Sequence, residues 1–148
     1  MIEPKPRRTK ARKSRSGPAA NAERGEHSLP LGSKAYRLRP AFQASVAIED
    51  ETGLSLIELF RKANHCSLSY AEMGIIVAEY ARAGAAEDDK MTRAVSAERM
   101  AELIYEEGTA RVIATIVLLL GDAISGGRTS SGEAKAVTAP ETETGTAT

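Results

Sequence analysis

Few side chains in this 148-residue chain are of the types that carry out chemistry. His27 and His65 are far apart and have no ligand-spaced companions. A metal site draws three or four Cys, His or carboxylate ligands, and Cys66 beside His65 is a single short pair in a turn. A Cys–His nucleophile also needs a held geometry and a third, orienting group, and neighbours in a turn rarely face each other. Cys66 therefore reads as a small hydrophobe at a helix junction. The carboxylates Glu49, Asp50, Glu51, Asp88 and Asp89 could in principle work as an acid–base pair. They fall in a last helical turn and in a polar loop, where solvated charge is the ordinary condition. Gly126-Gly127 follows a helical pattern rather than a strand, so it is not a phosphate-cradling loop. The expectation is a protein without catalytic residues, metal, cofactor or small-molecule substrate.

What remains is electrostatic and apolar. Residues 1–24 hold eight Lys and Arg against Glu3 and Glu23, a net of +6. Residues 25–127 hold ten basic and fifteen acidic side chains, a net of −5, and 128–148 carry −1. The first segment has almost nothing to bury and is expected to be a disordered basic arm. Nucleic-acid contact is possible only through this arm, because Lys and Arg at phosphates release counterions. A solvated, self-repelling tail explains the same residues, no aromatic is present for base stacking, and the acidic body would repel a phosphate backbone. Cys66 is the only cysteine, so no internal disulfide forms, which fits a reducing compartment. No apolar segment follows the first basic residues, and the charge-free run Val112–Gly121 is about half a membrane span. These features point to a soluble cytoplasmic protein with no membrane contact.

The elements that hold these residues can be read from periodicity. Glu26 to Arg39 alternates as a β-hairpin, with Gly32-Ser33-Lys34 as its turn and Pro30 marking an edge strand. A helical pattern starts at Pro40, with Ala41, Ala44, Ala47 and Ile48 as its stripe and Phe42 and Val46 beside it. Gly53 is the left-handed residue that stops it. Further helices are expected over 54–65, over 70–83 after Ser69, over 97–107 after Ser96, and over 110–125 after Thr109. Residues 85–95 read as a polar loop with room for one helical turn.

The last helix is apolar on two sides. Ala110, Ile113, Ala114, Val117 and Leu118 make one stripe, and Val112, Ile116, Leu119 and Leu120 cover much of the other. Such a helix is buried on several faces or covered by a partner. Val112, Ile116, Leu119 and Leu120 are the candidate partner-binding residues. The fold class is thus mainly α: a hairpin plus a bundle of about five short helices over 25–127, between disordered tails at 1–24 and 128–148.

A short motif runs through the centre of this plan. Tyr36, Leu38, Arg39 and Pro40 end the hairpin, Phe42 and Ala44 open the helix, and Ile48-Glu49-Asp50-Glu51-Thr52-Gly53-Leu54-Ser55-Leu56 forms the corner. With the small helices that follow, residues 25–127 resemble the gene transfer agent and phage tail assembly chaperone family. The resemblance implies a non-catalytic protein that keeps the tape measure protein soluble, with the tail tube protein as a further partner. The matching positions Tyr36, Leu38, Arg39, Pro40, Phe42, Ile48, Glu49, Thr52, Gly53 and Leu56 are expected to make the fold, with Arg39 and Glu49 pairing across the strand–helix junction. The alternative from a different class is a small nucleic-acid-binding protein using the basic arm.

Overall fold

A computed structural model describes residues 15–126, 129–133 and 135. The hairpin forms as expected, with β1 (His27–Leu31) and β2 (Lys34–Leu38) paired antiparallel. Gly32 alone in the turn takes a positive φ, 62°, which suits a two-residue turn with glycine first. That turn places the Pro30–Ala35 pair at a non-hydrogen-bonded position, so the missing proline N–H costs the ladder nothing. The Ala35 N–H points outward and donates to the Ser16 carbonyl at 3.2 Å.

Six helices follow: α1 (Phe42–Thr52), α2 (Leu56–Asn64), α3 (Tyr70–Gly84), the single turn α4 (Lys90–Arg93), α5 (Ala97–Glu107) and α6 (Thr109–Ile124). The architecture is mainly helical with an N-terminal two-stranded hairpin, as the periodicity implies. Three starts are fixed by serine side chains: Ser55, Ser69 and Ser96 each accept from the backbone N–H three residues on. At Ser69 the Glu72 carboxylate also accepts from the Ser69 N–H, completing a capping box. Lys62 donates to the same carboxylate at 2.7 Å, and this bond with those from Ser69 holds the Glu72 carboxyl below its usual range against the opposing effect of burial.

Helix α3 is the axis of the molecule, packed against α1, α5, α6 and β2. Its residues Met73, Ile76, Val77, Ala78, Tyr80 and Ala81 are buried on several sides. The Tyr80 hydroxyl and Ser45 Oγ lie 3.0 Å apart, and burial pushes the phenol up to about 12. Two glycines let α3 approach its neighbours closely. A Cβ on Gly74 would lie 2.4 Å from the Ala97 carbonyl oxygen, and one on Gly84 would lie 2.1 Å from that of Arg37. The carboxyl end of α3 is closed by the strand. The Arg39 N–H donates to the Tyr80 carbonyl at 3.0 Å, and Arg37 Nε donates to the Gly84 carbonyl at 2.7 Å. A guanidinium suits that end of a helix dipole.

Several boundaries differ from the sequence expectation. Helix α1 starts at Phe42, not Pro40, because Ala41 is extended (φ −74°, ψ 151°) and the Ala41 N–H turns back to the Arg39 carbonyl. Thr109 lies inside α6, whose N-cap is Gly108, and makes no side-chain cap. The polar loop does contain one helical turn, fixed by Asp89, whose Oδ1 accepts from the Thr92 N–H at 3.1 Å. Hydrogen bonds from Thr92 hold the Asp89 carboxyl below its usual range.

Residues 15–24, expected to be disordered with the rest of the arm, lie on the body. Gly17 packs against the Ala35 backbone, Arg15 pairs with Glu107 at 2.8 Å, and residues 22–24 make a 3-10 turn capped by Asn21. At the other end, the Ser130 carbonyl accepts from the Phe42 N–H at 2.7 Å, giving α1 the cap that Ala41 cannot supply. The remaining tail residues, 1–14 and most of 127–148, lie outside the described part.

Candidate functional site

The corner at Gly53 shows what the central motif does. Gly53 takes φ 69° as the left-handed residue after α1, and its N–H donates to the Glu49 carbonyl. Thr52 Oγ1 donates to the Ile48 carbonyl at 2.7 Å and accepts from the Leu54 N–H at 3.3 Å. Glu49 then reaches across the corner, its Oε2 accepting from the Leu56 N–H at 3.1 Å, the first free donor of α2. Glu49 therefore does not pair with Arg39. Arg39 Nη2 instead lies 3.7 Å from Glu26 Oε2, and Arg37 Nε lies 3.2 Å from the same buried oxygen. These residues join the hairpin to the bundle, and none is placed to act on a ligand. Glu49→Ala should cost about 1 kcal/mol in a urea melt, the usual value of a helix cap, while Glu49→Gln, which keeps an acceptor, should cost less.

Two acidic helical turns meet beside that corner. The Glu51 carboxyl of α1 is raised from 4.5 to about 7, chiefly by a hydrogen bond to the Glu79 side chain of α3, then by burial and by the Glu79 charge, with Arg82 opposing. Arg82 pairs with Glu79 and donates from Nε to the Val95 carbonyl at 2.8 Å. The folded chain holds the Glu51 proton more tightly than the unfolded chain. That stabilisation is complete below pH 4.5 and is lost as the pH rises through about 7. Glu51 is largely exposed, so solvent screens most of the effect. In thermal melts Glu51→Gln should match the parent chain near pH 4.5 and exceed it at pH 8, by roughly 2 °C.

The single-residue chemistry suggested by sequence does not assemble. Among the described residues no three His, Cys, Asp or Glu side chains are gathered to hold a metal. His27 Nε2 lies 3.3 Å from Asp122 Oδ2, while His65 ends α2 on the surface. Cys66 is exposed and left-handed, φ 52°, rather than packed at a junction. A non-glycine residue there is the trace of a tight turn, in which the Cys66 N–H reaches the Ala63 carbonyl. Among the described residues no helix is long and apolar enough to cross a membrane.

The predicted partner-binding stripe faces inward. Val112, Ile116, Leu119 and Leu120 have no exposed area and pack in the core. The opposite stripe is the outer one: Ala110 and Ala114 are exposed, Ile113 and Val117 are half-buried, and Leu118 is 55% exposed. Both stripes have helical period, so spacing alone could not orient the helix. Side-chain size could have done so, because the face with two alanines has less carbon to bury. Four other apolar groups stand out of the surface: Phe42 (56% exposed), Ile57 on α2, Met91 on α4 (84% exposed), and a tyrosine pair joining α3 to α5. Tyr70 and Tyr105 meet edge-to-face with ring centroids 5.6 Å apart. Tyr70 shares the helical spacing of the buried Met73, Val77 and Tyr80, but it is the first residue of α3 and is 44% exposed. The described surface thus carries several separate exposed apolar groups.

Comparison with known proteins identifies what kind of protein carries such a surface. The model of the family described as phage tail tube protein, GTA-gp10, matches residues 24–126. The chain belongs to that family. No curated protein and no solved structure matches it. The match spans the hairpin, the Gly53 corner and all six helices of this GTA-gp10 family member. It confirms a gene transfer agent or phage tail protein, and it corrects the expected role. A tail tube protein is a structural component, so the tail assembly chaperone reading, with its tape measure partner, is overturned. The alternative, nucleic-acid binding through residues 1–24, gains no support either: the match begins at residue 24, and the described part of that segment contacts the body.

Proposed function

We propose that this chain is a non-catalytic structural subunit of a phage-like tail, a component of the tail tube, which works by binding other tail subunits. The family match over residues 24–126 carries this reading. The exposed side chains Phe42, Ile57, Leu118 and Tyr105 are available to such contacts, in whose cores aromatic and apolar groups concentrate. Assembly then takes place in the cytoplasm, before release of the particle.

Quantitative mass spectrometry of purified tails tests the proposal. The chain should be retained in finished tails in many copies. Its presence in the producing cell and absence from finished tails would overturn a structural role. Leu118→Glu and Phe42→Glu should leave the melting temperature nearly unchanged, since both positions are mostly in solvent, yet reduce incorporation about tenfold.

A further inference from the structure

The first residues of the chain and the outer face of α5 carry complementary features. Helix α5 buries Met100, Leu103 and Ile104 and turns Glu98, Ala101, Glu102, Tyr105 and Glu106 away from them. Tyr105 is 71% exposed, the most open ring on the described surface, and its partner Tyr70 is 44% exposed. With Ala101, Glu102 and Glu106 these rings line an open groove of about 410 Å³. Glu102 is met by Arg99 at 2.9 Å, whereas Glu98 and Glu106 have no ion-pair partner among the described residues. The groove is thus aromatic in its floor and acidic at its rim. Such a surface suits Arg and Lys, whose cations sit over tyrosine rings and pair with carboxylates.

A segment of that composition precedes the described residues. Residues 1–14 carry Lys5, Arg7, Arg8, Lys10, Arg12 and Lys13 against Glu3, a net of +5. The next residue, Arg15, is already seated on α5 through its 2.8 Å pair with Glu107, and the Ser16 carbonyl is pinned to β2. Glu102 is five residues from Glu107, about 7.5 Å along the helix axis and about 140° round it, so the segment has to pass round α5 to reach the groove. A stretch of 14 residues reaches up to about 45 Å, so the groove is well within its span. Being tethered within that span, the segment also holds an effective concentration in the millimolar range, which favours its own body over a second molecule.

We infer that residues 1–14 dock on the Tyr70–Tyr105 groove of the same molecule, with the basic side chains over the rings and against Glu98, Glu102 and Glu106. The arm is therefore a ligand for its own α5, and any protein that binds this groove must displace it. The proposal does not depend on the tail tube assignment.

Paramagnetic relaxation in the full chain provides the test. A nitroxide is attached at Lys10→Cys in a Cys66→Ser background. At low salt the amide signals of residues 98–107 and Tyr70 should fall to roughly half or less, while α2 keeps full intensity. The effect should vanish in roughly 0.5 M salt, where the screening length is a few ångströms, and in Glu102→Lys/Glu106→Lys. Uniform broadening, or broadening centred on another element, would overturn the proposal. Spin-labelled unlabelled-isotope protein is then mixed with isotope-labelled protein that has no spin label. Absence of broadening in the mixture supports docking within one molecule. Broadening of α5 there as strong as in the single species would overturn it in favour of a second copy.

Discussion

Gly84→Ala should destabilise the domain by about 3 kcal/mol. Alanine normally stabilises a helix relative to glycine, but that gain is smallest in the last turn. The added Cβ would lie 2.1 Å from the Arg37 carbonyl oxygen and 2.9 Å from its carbon. Both are backbone atoms of β2, so no rotamer change relieves the overlap. The strand must move away from α3, which strains two bonds at once, from Arg39 to the Tyr80 carbonyl and from Arg37 to the Gly84 carbonyl. Thermal melts should show a fall of about 12 °C or more. Gly53→Ala provides the contrast: it sits at φ 69° with open space around its Cβ, so only the backbone strain of about 1 kcal/mol applies. If Gly84→Ala melts within a degree of the parent chain, the close docking of α3 on the hairpin is wrong.

The second large effect concerns the orientation of α6. Ile116→Ala should cost about 3 kcal/mol, because it leaves a cavity between α6 and its neighbours. Leu118→Ala, two residues away on the same helix, should cost less than about 0.5 kcal/mol. The pair is measured by urea denaturation on otherwise identical chains. Equal costs would mean that α6 is sealed on both sides, and reversed costs would mean that it is rotated by half a turn. Either result would remove Leu118 from the exposed surface that the proposed contact with tail subunits needs.

That helix also marks the limit of what the residue pattern could tell. The hairpin, the caps at Ser69 and Ser96 and the Gly53 corner were legible because each is decided by neighbours a few residues apart. Ser69 and Glu72 complete a capping box without help from the rest of the fold. The facing of α6, the exposure of Tyr70 and the start of α1 depend on contacts distant in sequence. Phe42 opens α1 because Ser130, far along the chain, supplies the missing acceptor. Glu49 was expected to meet Arg39 by closeness in sequence, and the left-handed turn at Gly53 gave it a nearer donor at Leu56. The apolar patches were legible only as an excess of carbon on α6, and their true members, Leu118 with Phe42, Ile57 and Tyr105, had no signature of their own. The role within the tail was misread because the central motif specifies a corner of the fold, which chaperone and tube subunit could share.

Arg24, at the start of the matched region, lies beside Gly132 and Glu133, a few residues past its end. Arg24 Nε is 3.7 Å from Glu133 Oε1, and a Cβ on Gly132 would come within 3.5 Å of the Arg24 carbonyl oxygen. Between Arg24 and Glu133 the backbone therefore makes almost a closed ring. A domain with that geometry can be spliced into a surface loop of another protein through short linkers, without stretching either junction.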